Sequence, residues 1–330
     1  MQLNRRHTLA LPLSLLASAW GHAQTNTPTV IDELWTDTTR QRTVPVRIRW
    51  PAAHLTVPAG GRPVVIFSHG LGGSREGGSV WGEAWAAAGF VVLHLQHAGS
   101  DWDAVRHAAG HLSDRGALHE LVNAEQLQAR LHDVVFALNE IERRHRGATS
   151  PIWASVRPHA MGMSGHSFGA HTTLGMAGQA YPGTAPLAEP RLAAFAAFSP
   201  ALPMAGDPRQ AFAAVTRPTL CLTGTLDGDV VGNGSTPERR RAVFDALPPG
   251  HKALLVLQDA DHMTFGGQSG HPLADLRRNP ATRKAQAAHH AAVAAITTDW
   301  WRAHLLGDAT AKSRLDHPNG LRPTDRWQTG

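Results

Sequence analysis

The 330-residue sequence has a single cysteine, Cys221, which excludes an internal disulfide and leaves the fold to rest on its core. Its setting in PTLCLTG reads as a buried strand position, where a cysteine acts as a small hydrophobe. No basic stripe with interleaved aromatics is present. The Arg239–Arg241 cluster follows Glu238 and reads as a solvated helix start, so nucleic acid is not an expected partner. Neither a Walker lysine nor a G-x-G-x-x-G spacing follows any glycine-rich turn, which removes two common phosphate cradles. His289 and His290 have no further ligand at metal spacing and read as a helix surface. No internal repeat is found, and no cofactor or metal is implied.

What is present is ordinary globular material, 42% hydrophobic and 17% charged, enough for a large core. The opening residues place Arg5 and Arg6 before an apolar run from Leu9 to Ala19, then small residues up to Ala23. That run is shorter than the roughly 20 residues that span a bilayer. Residues 1–23 therefore read as a cleavable signal peptide, with export to the periplasm or medium and no stable membrane anchor. The paired arginines fit either the general or the twin-arginine route. Removing this leader, which carries two arginines and no acidic group, lowers the formal charge from +5 to +3.

Residues 24–330 are expected to form one catalytic domain. After a polar leader, strand candidates at 43–50, 64–68, 90–96, 160–164, 193–198, 219–223 and 253–258, most of them continuous apolar runs, alternate with helical patterns. The clearest helices are expected at 120–144 and 280–306, the second packing Trp300 and Trp301 onto the sheet. Such alternation predicts an α/β fold, a mainly parallel, doubly wound sheet with helices on both faces. Residues 307–330, with their prolines and glycines, are expected to be an irregular tail.

The strongest chemical signal is Gly165-His166-Ser167-Phe168-Gly169, between a strand-like and a helix-like stretch. G-x-S-x-G in that context predicts a tight strand-to-helix turn that lifts Ser167 above the sheet. A serine hydroxyl needs a base, and the base an orienting acid. Thr219 to Thr223 runs into Gly-Thr-Leu-Asp-Gly-Asp, offering Asp227 as the acid and Asp229 as the alternative, whose other role is turn chemistry. Ala253 to Gln258 leads to His262, the expected base, with neighbouring Asp261 shaping the loop. Phe168 N–H is one expected oxyanion donor. The glycine-rich SHGLGGS turn after residues 64–67 supplies the other, Leu71 N–H, with His69 as a brace.

In order, SHGLGGS, LQHAGSD, RLHDVVFALNEI, GHSFGAHTT, LTGTLDGD and DADHMTFGG resemble the branch of the α/β-hydrolase superfamily that contains the platelet-activating-factor acetylhydrolases and the predicted dienelactone hydrolases. The resemblance spans most of the mature chain and implies a Ser167, Asp227, His262 triad with Leu71 and Phe168 as oxyanion donors. True dienelactone hydrolases use a cysteine nucleophile, and the position here is Ser167, which argues against that reaction. No phosphocholine site is identifiable.

The expected activity is serine-dependent hydrolysis of carboxylic esters, small-molecule or lipid, with small or exposed acyl groups. Lipase, phospholipid acetylhydrolase, polyester depolymerase and peptidase activities share the chemistry, and a non-catalytic binding protein on the same fold is the reading from another class. Oligomeric state is not encoded in any motif. The short interval from Ser199 to Pro218 leaves no room for a cap domain, and the loops at 98–119 and 266–278 are rich in Gly, His, Asp and Arg. Together these predict an open, partly polar site preferring acyl groups of roughly two to six carbons, if each buried methylene is worth about 0.8 kcal/mol.

Overall fold

The computed structural model describes residues 26–109, 115–148, 150–182, 186–268 and 278–330. The expected signal peptide and most of the 266–278 loop lie outside the described residues. Nine strands form one sheet in the order β1-β2-β4-β3-β5-β6-β7-β8-β9. They are β1 (Thr29–Asp37), β2 (Arg42–Trp50), β3 (Val64–Ser68), β4 (Val91–Leu95), β5 (Met161–His166), β6 (Leu192–Phe198), β7 (Thr219–Leu226), β8 (Lys252–Asp261) and β9 (Arg326–Thr329). The helices between β3 and β8 are α1 (Ser79–Ala87), α2 (Trp102–Ala109), α3 (Arg115–Glu120), α4 (Ala124–Arg146), α5 (Pro151–Ala154), α6 (Phe168–Ala177), α7 (Pro208–Phe212) and α8 (Pro237–Ala246). The six from β4 to β8 along the sheet are parallel, whereas β1, β2 and β9 run antiparallel at the edges. The expected mainly parallel, doubly wound architecture is what forms.

Alternation along the strands sorts the core into two layers. Val64 and Ile66 of β3 face one cluster, with α4 (Ala124–Arg146) and α6 (Phe168–Ala177), and Val65 and Phe67 face the other. The second cluster holds Trp81 and Trp85 of α1 (Ser79–Ala87) and the C-terminal helix Pro280–Leu305. Trp301 there is fully buried edge-on to Trp85, and Trp300 donates to the Phe195 carbonyl, as expected for this pair. Cys221 is buried in β7, and burial pushes its thiol up to about 12. No helix among the described residues is long and apolar enough to cross a membrane.

Two sequence expectations need correction, and one strand carries no apolar run to mark it. Residues 307–330 are not irregular: a short helix, Ala309–Asp316, packs back, and β9 pairs with β8, its Trp327 donating to the Leu315 carbonyl. β1 went unread because eight of its nine residues, all but Trp35, are at least partly exposed, so no apolar run marks it. His289 is buried, its Nε2 hydrogen-bonded at the Gln258 carbonyl, while His290 lies edge-on against Trp81. No metal-holding cluster occurs among the described residues.

Candidate active site

Parallel strands deliver their loops to one edge of the sheet, and the crevice outside their carboxyl ends is where such sheets bind ligands. β5 ends at His166 and α6 begins at Phe168, so Ser167 is the whole connection. Its backbone is strained at φ 55° and ψ −114°. Both flanking glycines are required: a Cβ on Gly165 would run into the Gly169 carbonyl, and one on Gly169 into the Ser68 carbonyl. The turn is fixed from below by Ser167 N–H donating to the Phe198 carbonyl at 2.9 Å.

β7 and β8 end side by side, with Leu226 opposite Asp261 across a register shift. The next residue of each strand is therefore brought together: His262 Nδ1 and Asp227 Oδ1 are 2.8 Å apart, with His262 almost fully buried and Asp227 wholly so. Thr223 donates to the other Asp227 oxygen at 2.8 Å. Burial opposes ionisation of Asp227, but the His262 hydrogen bond, then the charges of His262 and Arg240, hold its carboxyl below the usual carboxylate range. Asp229 does not face His262. Its carboxylate accepts the N–H groups of Val231, Gly232 and Gly234 at 2.7–2.9 Å, which is turn chemistry.

Ser167 and His262 line the same cavity of about 250 Å³, together with Leu71, Trp102, Val105 and Met263. The Ser167 hydroxyl makes no hydrogen bond among the described residues, and catalytic contacts are often longer in a free enzyme than in its complexes. The loop after β3 closes against the serine, since a Cβ on Gly70 would stand 3.3 Å from Ser167 Cβ. Neither Leu71 N–H nor Phe168 N–H has an acceptor among the described residues, so both remain available to a ligand.

His69 braces that loop as expected: one ring nitrogen donates to the Gly70 carbonyl at 2.6 Å and the other accepts from His97 N–H at 3.0 Å. Asp261 caps the 3-10 turn His262–Gly266 and pairs with Arg278 at 2.7 Å.

Three side chains around the site escaped sequence reasoning. Arg240, in the cluster read as solvated, is buried. Its guanidinium lies 2.9 Å from Asp227 Oδ1 and donates to the carbonyls of Asp227, Ser199 and Gly228 at 2.7–3.2 Å. The signal was available, because Arg240, Val243 and Phe244 recur at helical spacing on the inner face of α8 (Pro237–Ala246). His166 is buried against the His262 ring at 4.6 Å and donates through Nε2 to the His262 carbonyl at 2.9 Å. Burial, then the His262 charge, keeps it neutral well below the ordinary histidine range.

Arg130 of α4, fully buried, lies 4.5 Å over the Phe168 ring and donates to Ser68 Oγ, Ser100 Oγ, Thr172 Oγ1 and the His69 carbonyl. It thus ties together the two backbone segments that carry Leu71 and Phe168. Beside it, Asp133, His97 and Ser68 form a second acid-histidine-serine chain, with spacings of 3.0 and 2.9 Å. All three side chains are sealed from solvent, so this chain can only hold the loop in place.

The sheet order, the strand-end site and the turn at Ser167 are those of the α/β-hydrolase fold. Residues 44–181, from β2 to just past α6, match the family model of platelet-activating factor acetylhydrolase, isoform II. The match includes the Leu71 loop and Ser167, bears out the resemblance drawn from SHGLGGS and GHSFGAHTT, and marks a hydrolase of the lipase and esterase type. No curated protein matches the chain.

Proposed function

We propose that the chain is a serine hydrolase of carboxylic esters that works through an acyl-enzyme. The observation that carries this reading is the buried His262–Asp227 hydrogen bond at the edge of the cavity into which strained Ser167 opens. His262 takes the Ser167 proton as the oxygen attacks the ester carbonyl. The resulting oxyanion is received by Leu71 N–H and Phe168 N–H. As the tetrahedral centre collapses, His262 returns the proton to the departing alcohol, and water repeats the cycle on the acyl-enzyme to release the acid. Ionised Asp227 holds the histidine's tautomer and offsets its positive charge. No cofactor enters any step.

The substrate is proposed to be a small-molecule or lipid ester, met outside the cytoplasm after residues 1–23 direct export. Fluorophosphonate labelling with p-nitrophenyl ester assays tests the chemistry. Ser167→Ala should abolish labelling and, with His262→Ala, lower kcat on the order of 10⁶-fold, as triad members acting together do. Near-normal turnover by either pure, folded variant would leave a binding protein on a hydrolase fold as the better reading.

A further inference from the structure

Ser167 stands between two cavities. The first is the 250 Å³ space that His262 also lines. The second, of about 320 Å³, opens between the start of α4 and the segment after β6, walled by Val122, Leu127, Phe168, Leu202 and Met204. The two share no lining residue. A third, small cavity of about 20 Å³ lies between them, sharing Leu71, Ser167, Val230 and Val231 with the first and Val122, Phe168 and His171 with the second.

The ester mechanism gives these cavities different jobs. The departing alcohol must receive its proton from His262, so its oxygen lies within hydrogen-bond reach of that ring, and the space His262 lines is the first cavity. The acyl carbon stays on Ser167 with its oxygen at the Leu71 and Phe168 N–H groups. Its chain must leave on the other side, past Phe168.

Resting on the serine-esterase reading, we propose that the second cavity is an acyl pocket that takes an uncharged, straight apolar chain. Among the described residues its lining includes no Asp, Glu, Lys or Arg. His171 within it is pulled down to about 4, by burial and then by the charges of Arg240 and Arg130, so it presents a neutral ring. At about 30 Å³ per water-sized group, the volume holds a chain of roughly ten carbons. The lack of room for a cap between Ser199 and Pro218, with the polar loops at 98–119 and 266–278, gives the expectation of an open, partly polar site. In the fold, Ala201, Leu202 and Met204 of the 199–218 interval turn an apolar wall toward α4, and the preference extends beyond the two to six carbons expected from sequence.

The test pairs two substrate series on the full-length enzyme. In p-nitrophenyl esters from acetate to palmitate, kcat/KM should climb roughly two- to fourfold per methylene, level off near ten carbons, and be low for a succinate half-ester. Met204→Trp and Leu202→Ser should each lower the octanoate-to-acetate ratio at least tenfold. In acetates of lengthening alcohols, Trp102→Ala, which opens the first cavity, should alter the profile and the two acyl-pocket variants should not.

Two outcomes overturn the assignment: an octanoate-to-acetate ratio indifferent to both acyl-pocket variants, or one that responds to Trp102→Ala in their place. Failure of the wild-type enzyme to take a fluorophosphonate would remove the underlying reading. Normal labelling with the wrong ratios would remove only the pocket.

Discussion

Arg240→Met replaces the buried cation behind Asp227 with an apolar side chain of similar length. The structure gives the guanidinium one carboxylate contact at 2.9 Å and carbonyl contacts to Asp227, Ser199 and Gly228 at 2.7–3.2 Å. Removing one partner of a buried ion pair costs about 3–5 kcal/mol, because the other charge stays behind unpaired. Asp227 keeps its bonds to Thr223 and His262, which argues for the lower end of that range. We expect a stability loss of about 3 kcal/mol in urea titrations at pH 7, followed by tryptophan fluorescence. Where the variant is still folded, kcat should fall about 100-fold as the acid loop shifts. A cycle with Asp227→Asn should show coupling of about 1–3 kcal/mol. Stability changed by less than about 1 kcal/mol, with kcat intact and no coupling, would refute the claim that Arg240 holds the acid.

Asp227→Asn should lower kcat severely and Asp229→Asn only slightly, since one carboxylate faces His262 and the other faces turn amides; the reverse ranking in ester assays would move the acid role to Asp229. Leu71→Pro should cost far more kcat than Leu71→Ala, because only proline removes the N–H; a folded proline variant with full kcat would place the second donor elsewhere. Buried His94, pulled down to about 3 by burial and then by the charge of Arg49, takes up its proton in the unfolded chain first. Its stabilisation is therefore complete above about pH 6.5 and drains as pH falls toward about 3, at up to about 1.4 kcal/mol per pH unit. His69 and His166 shift the same way. Unfolding free energies that stay flat from pH 7 to 5 would contradict this, and His94→Asn should make the slope shallower by one proton.

The fold was legible where the chain is buried on both faces. β3 and β4 are runs of wholly buried residues, and such runs announce themselves without any periodicity argument. β1 and β9 are edge strands with mostly exposed residues, held by pairing with β2 and β8, so their sequences carry no comparable signal. The same logic separates what was read at the site. Ser167, Asp227 and His262 follow strand ends, and position after a strand survives into three dimensions because parallel strands share one carboxyl edge.

Arg240, Arg130 and His166 were missed for the opposite reason. Each is a polar residue inside a helix, or in the free position of G-x-S-x-G, and composition alone assigns such residues to the surface. Their burial is paid for by backbone carbonyls and hydroxyls far away in sequence, which no local pattern records. Geometry alone has its own blind spot, since Asp133, His97 and Ser68 match the spacing of an acid-histidine-serine relay as closely as the pair at Asp227 does. Burial decides between them: Ser68 is sealed and occupied by Arg130, whereas Ser167 lines the cavity that His262 shares, with two unused N–H groups beside it. The inner chain therefore fixes the loop on which the outer site depends. His97→Ala should accordingly weaken stability and oxyanion binding together, while leaving Ser167 reactive toward a fluorophosphonate at a reduced rate. A His97 variant as stable and as active as the parent would show that the loop is held without it.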